Sequence, residues 1–206
     1  MKKMKFVIAK GLKRILNPPA LRGCKIDKTS AICSGSELNR VTMDRYSYIG
    51  NRCFMNNVRI GSFCSIADKC SIGGAAHPLD RVSSSPVFHE GRNIMHKNFA
   101  TFKSIPTPET VIENDVWIGM GAYIKSGVTV HNGAVIGMGS IVTKDIPAYE
   151  IWAGNPAKKI GQRFDDDVIK SLEKLQWWKW DEKKIAEKAH LFDKVEDLIK
   201  FKEKNL

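Results

Sequence analysis

The stretch SIGGAAHPLD, residues 71–80, sets His77 three residues before Asp80 at a point where the hydrophobic rhythm of the chain stops. An imidazole titrates near neutral pH, which suits it to take a proton from a hydroxyl as that oxygen attacks an acyl carbon. A nearby carboxylate either orients and polarises the imidazole or caps a turn, and both roles stay open for Asp80. Taken alone, His77 has a plainer alternative as a loop histidine without chemistry. His89 and His96 fall in the same excursion, in SSSPVFHEGRNIMHKNFA, where solvent-exposed loop positions are expected; His131, in VHNGAV, is expected at a surface turn. Other chemistries lack their residues. There is no GxSxG elbow, Walker loop or GxGxxG fingerprint, and no metal is expected because usable ligand spacings are missing. Five cysteines, odd in number and without a CxxC pair, suggest neither a disulfide framework nor a zinc site.

The elements that position these groups are bounded by length and composition. A chain of 206 residues, 43% hydrophobic, accommodates one large domain or a domain with an appendage. No apolar run reaches eighteen residues, and the apolar stretch of MKKMKFVIAKGLKRILNPP is cut by Lys10, Lys13 and Arg14, too short for the core of a secretory signal. A cytoplasmic location is expected. The net charge of +11 is concentrated in residues 1–22, where Lys2, Lys3, Lys5, Lys10, Lys13, Arg14 and Arg22 meet no acid. This segment reads as a solvated basic tail or helix, or as a basic amphipathic segment touching anionic lipid or a phosphorylated lipid carrier at the membrane's inner face. Nucleic acid is not an expected partner, since no helix-turn-helix, RNP or zinc-finger pattern accompanies the charge.

An internal repeat organises the middle of the chain. Ile112, Ile118, Ile124, Val130, Ile136 and Val142 fall six apart, and before the break the lattice runs through Ile26, Ile32, Leu38, Met43, Ile49, Phe54, Ile60, Ile66 and Ile72 with two five-residue steps. A period of six fits neither a helix nor a single strand. It fits a coil of short strands joined by turns, with the aliphatic residue pointing into a prism. The motif IGMG occurs at Ile118–Gly121 and again at Ile136–Gly139, eighteen residues on, so its copies are expected in neighbouring coils. Cys24, Cys53, Cys64 and Cys70 occupy the small-residue slot of their hexads and read as buried spacers. Beyond residue 164 acids open a run with Ile169, Leu172 and Leu175 on one face, and Asp181 reads as the N-cap of a further helix. Trp177, Trp178 and Trp180 are expected to pack these helices against the prism or a neighbouring subunit.

The hexads, the loop with HPLD, NDVWIG at Asn114–Gly119, VTKDIP at Val142–Pro147, AGNPAK at Ala153–Lys158 and the tail RFDDDVIKSLEKLQWWKW together resemble the hexapeptide-repeat acyltransferases. The tail is similar to their xenobiotic acetyltransferase branch, which includes chloramphenicol, streptogramin and bacterial sugar O-acetyltransferases. The resemblance spans about residues 26–190. It implies a mainly β fold, a left-handed parallel β-helix at 23–160 with a loop inserted at about 74–108, between a basic segment at 1–22 and a helical appendage at 161–206. It also implies a homotrimer with active sites between subunits, and acetyl-CoA as donor.

By the same resemblance His77 is the catalytic base, with Asp80 beside it, and Gly119, Met120, Met138, Thr143 and Lys144 lie at the donor site. Trp117 either walls the reactive end or packs inward. Lys158 follows from the NPAK match and Arg163 from proximity alone; a solvated basic face is the competing account of both. The excursion, with Ser83–Ser85, Phe88, Asn93 and Phe99, is expected to help form the acceptor pocket. The expected acceptor is a sugar or glycan-precursor hydroxyl, because HPLDRVSSSPVF looks more like the sugar-modifying members. Antibiotic acetylation, or a non-catalytic β-helix scaffold, is the alternative. A carbonic anhydrase of this general fold would need three metal-binding histidines, and the histidines here are scattered.

Overall fold

An aliphatic residue every six positions becomes a wall of a core when very short strands alternate with turns that carry the chain round a corner. The computed structural model, which describes residues 7, 11–12 and 15–203, shows this arrangement: parallel strands stacked into a three-faced β-helix. The first face stacks Ala31–Ile32, Tyr48–Ile49, Ser65–Ile66, Trp117–Ile118, Val135–Ile136 and Glu150–Gly154, the last pairing antiparallel with Ala157–Gln162. The second sets Phe54–Asn56, Ser71–Gly73, Tyr123–Ile124 and Ile141–Val142 side by side. The third sets Val58–Ile60 beside Thr110–Ile112 and Thr129–Val130.

Each face sends one column inward. Ile49, Ile66, Ile118 and Ile136 form one, and Leu38, Met55, Ile72, Ile124 and Val142 another, all at most 2% exposed. Burial of such a side chain is worth roughly 1.5–3 kcal/mol before the entropy of ordering it. The two IGMG copies lie in neighbouring coils, with Ile118 beside Ile136. Gly119 is glycine because of that stacking: a Cβ there would stand 2.5 Å from the Met138 amide nitrogen.

The lattice differs from the sequence reading at one position. Phe54 is not inward but 43% exposed, paired with Glu37 and Ser71, while Met55 takes the core place between Leu38 and Ile72. The short step therefore falls between Met55 and Ile60, where Asn57 turns the corner with a φ of 56°. The corresponding step from Leu38 to Met43 contains Arg40 at a φ of 53°. Both shortened corners join the second and third faces, the edge from which the long loop leaves one coil later. Cys53, Cys64 and Cys70 are buried, and Cys24 packs against the same core from a half-buried position, as expected of spacers.

Polar side chains at other corners bond along the stack. Asn114 of NDVWIG accepts from the Ser62 amide at 2.9 Å and donates to Asn132 Oδ1 at 2.9 Å, so this motif residue is a rung between coils. Among the described residues the appendage has three α-helices, α1 (Asp166–Leu175), α2 (Glu182–Lys188) and α3 (Val195–Glu203). Asp181 caps α2 by accepting from the Lys184 amide at 2.7 Å. Trp177 packs on Phe63 of the prism (4.9 Å between ring centres) and on Phe192 (5.0 Å), and Arg45 donates to the carbonyls of Trp178 and Trp180. The tryptophans thus fasten the helices to the prism of their own chain. Of the basic N-terminal residues, Lys2, Lys3, Lys5, Lys10, Lys13 and Arg14 lie outside the described residues, and with them the expected membrane contact. Among the described residues no helix is long and apolar enough to cross a membrane.

Candidate active site

The long loop starts where Gly73 leaves the second face. Its φ of 76° and the 2.2 Å approach that a Cβ would make to the Asn56 carbonyl require glycine at that exit. The loop is held mostly by its own bonds, with one from the prism where Asn57 donates to the Thr107 carbonyl at 3.0 Å near the loop's return. Ser85 caps a short 3-10 turn at Pro86–Phe88, the Phe99 amide donates to the Val87 carbonyl at 2.7 Å, and the Glu90 amide donates to the Phe102 carbonyl at 2.8 Å. Asn93 spans three acceptors within the loop, so it braces the backbone rather than facing a ligand.

Within this frame His77 is exposed, and its Nδ1 lies 2.9 Å from the Ser84 carbonyl oxygen. A carbonyl only accepts, so Nδ1 carries the hydrogen, which in the neutral ring leaves the lone pair on Nε2. Of the two roles open to Asp80, orienting the ring has no hydrogen bond behind it among the described residues: Asp80 is exposed, and the imidazole bonds the Ser84 carbonyl instead. His89 also departs from expectation. It is 7% exposed because its backbone pairs with Phe102, and its Nε2 has no partner among the described residues. His96 is exposed, and His131 sits at a turn with Nδ1 3.2 Å from Glu113.

A cavity of about 630 Å³ opens between the two arms of the loop. Its apolar walls are Val82, Phe88 and Phe102, with Asp80, Arg81, Ser83 and Lys103 at its polar positions. Of the excursion residues expected to help form an acceptor pocket, Ser83 and Phe88 line this cavity; Arg81, Val82, Phe102 and Lys103 join them from positions that no motif marks. Phe99 packs against Phe88 from outside the cavity lining, with ring centres 6.0 Å apart.

The residues expected at the donor site lie along two edges of the prism. Met120 and Met138 occupy the same corner in successive coils, where the Gly139 amide donates to the Met120 carbonyl at 2.9 Å, and both side chains are exposed. Trp117 is 56% exposed on the first face, which removes inward packing as its account. Lys158, exposed and in no ion pair among the described residues, lies on the hairpin that extends this face, opposite Ala153. Thr143 and Lys144 stand at the other edge of the second face, the edge that also launches the His77 loop, and Lys144 reaches over the Trp152 ring at 5.2 Å. Arg163 belongs elsewhere. Its guanidinium bonds Asp115 and the Gly133 carbonyl, both at 2.9 Å, and stacks near Tyr149 and Phe164 under the appendage. Burial raises the Asp115 carboxyl above its ordinary value despite that cation, and the pair reads as a structural clamp. Among the described residues no three His, Cys, Asp or Glu side chains converge as metal ligands.

Residues 109–144 match the sequence profile described as bacterial transferase hexapeptide, six repeats. A probable macrolide acetyltransferase of Lysinibacillus sphaericus is 39% identical over 151 residues, covering 71% of this chain and 79% of that protein. The chain belongs to the hexapeptide-repeat acyltransferase family. A chloramphenicol acetyltransferase of Agrobacterium fabrum is 45% identical over 124 residues, 59% of each chain, so the match spans less than two thirds of that relative's length. The hexapeptide fold is shared with AntD, an N-acyltransferase from Bacillus cereus, at a TM-score of 0.52 and 20% identity over 82% of this chain and 95% of that one.

Proposed function

We propose that the protein is an acetyl-CoA-dependent O-acetyltransferase that uses His77 as general base and a sugar or glycan-precursor hydroxyl as acceptor. The observation that carries this reading is the His77–Ser84 hydrogen bond, which holds the exposed imidazole in the tautomer whose Nε2 accepts a proton. Bound acetyl-CoA supplies an activated acetyl thioester. The residues toward it fit: exposed Trp117, Met120 and Met138 offer apolar surface, Gly119 brings backbone close to backbone, and Thr143, Lys144 and Lys158 offer a hydroxyl and two cations suited to a polyanionic donor. His77 takes the acceptor proton at Nε2 as the oxygen attacks, and returns it to the departing sulfur.

One chain places the methionine corner and the His77 loop at opposite edges of its second face. That separation supports a homotrimer in which one subunit's loop meets the next subunit's donor edge. A neutral antibiotic hydroxyl is the second reading, favoured by the apolar walls of the loop cavity and by the acetyltransferases among the relatives. Thiol release from acetyl-CoA across a panel of sugars, chloramphenicol and a streptogramin decides between them. Silence on every acceptor, with no CoA binding by calorimetry, would leave a non-catalytic scaffold.

A further inference from the structure

The loop cavity contains a charged group that its surroundings do not satisfy. Arg81 reaches across the loop, its Nη2 donating to the Lys103 carbonyl at 2.9 Å and its guanidinium carbon standing 5.8 Å from the centre of the Phe102 ring. Its other terminal nitrogen, Nη1, is shielded from solvent and has no hydrogen-bond partner among the described residues. A shielded guanidinium donor without an acceptor is unfavourable, and a negatively charged oxygen relieves it best. Among the described residues no ion pair joins Asp80 to Arg81 or to Lys103, so the cavity presents two cations against one carboxylate. Its volume is that of a small-molecule site.

We infer that this cavity selects an acceptor bearing an anionic group, a carboxylate or a phosphate, which Arg81 receives while His77 faces the hydroxyl. The inference rests on the transferase reading above and narrows its substrate class. The segment from His77 to Ser84 does both jobs: its far end fixes the imidazole through the Ser84 carbonyl, and Arg81 lies between. A purely structural clip across the loop would need Nη2 alone. Arg81 adds a planar second donor face, which matches a carboxylate or phosphate better than a lysine ammonium does.

The test is calorimetric binding to the full chain, using methyl glucuronide against its methyl ester and glucose 1-phosphate against glucose. Wild type is expected to bind one charged probe at least about tenfold more tightly than its neutral partner, the usual scale of a charge-assisted hydrogen bond. The responding pair identifies carboxylate or phosphate. Arg81→Gln should abolish that preference while leaving affinity for the neutral probe unchanged, and Arg81→Lys should keep part of it. Equal affinity for charged and neutral probes, no binding of either charged probe, or equal weakening of both partners in Arg81→Gln would overturn the inference, the last by showing Arg81 to be only a clip. Binding is read without acetyl transfer. A chain that prefers the anion but transfers no acetyl group refutes the transferase reading alone, whereas an active transferase without the preference refutes this inference alone.

Discussion

The prism and the loop that leaves it obey different rules. In the prism a residue's place follows from its neighbours one coil away, so Ile118 is buried because Ile66 and Ile136 flank it. In the loop the Val87, Phe88 and Phe102 carbonyls bind loop amides, and exposed apolar side chains such as Leu79, 96% accessible, carry no share of the core. The prism is therefore a stability element and the loop the seat of the proposed chemistry, and the two should respond oppositely to mutation.

Removing the loop separates them most sharply. Joining Gly74 to Glu109 leaves a six-residue step from Ile72 to Ile112, the spacing of Ile124 to Val130. This variant should lose all detectable acetyl transfer, while its stability stays level or rises by up to about 2 kcal/mol through the shorter closure. A denaturant titration beside a thiol-release assay checks both halves; failure of the prism to fold would show the loop to be part of its core. Next in size, Ile118→Ala should cost about 2–5 kcal/mol through the cavity it leaves. Leu79→Ala should change stability by less than about 0.5 kcal/mol. Equal losses at the two sites would erase the contrast between prism and loop.

The prism was legible in the sequence because period-six repetition has one simple structural solution, and even the helix cap at Asp181 could be read. Phe54 was misplaced because the five-residue step could be slid along the chain until the pairing of Met55 with Leu38 and Ile72 fixed it. In the loop the motif pointed to His77, whose role is the proposal above, and the run from 83 to 99 pointed to a pocket without saying which side chains line it. The Ser84 group that bonds His77 is a backbone carbonyl, which no residue type announces, and Arg81 bonds the Lys103 carbonyl, twenty-two residues away. Arg163 shows the limit of sequence proximity, since its partner Asp115 lies forty-eight residues off and draws it under the appendage.

Smaller effects sharpen the boundary of the rigid body. Asp181→Ala should cost about 1 kcal/mol, seen as a lower thermal midpoint, because the Lys184 amide loses its cap. Thiol labelling of the native chain should modify half-buried Cys24 and Cys33 well before Cys64, whose thiol burial pushes up to about 12 and so keeps protonated at neutral pH. Cys64 labelling at the rate of Cys33 would mean that the prism opens locally.

The most direct measurement is acetyl transfer by wild type and His77→Ala on the best acceptor of the panel, with CoA affinity and thermal midpoint followed alongside. A loss of about 100-fold or more in turnover, with CoA affinity and midpoint unchanged, is the predicted result. Turnover equal to wild type would contradict the account and remove His77 from the chemistry.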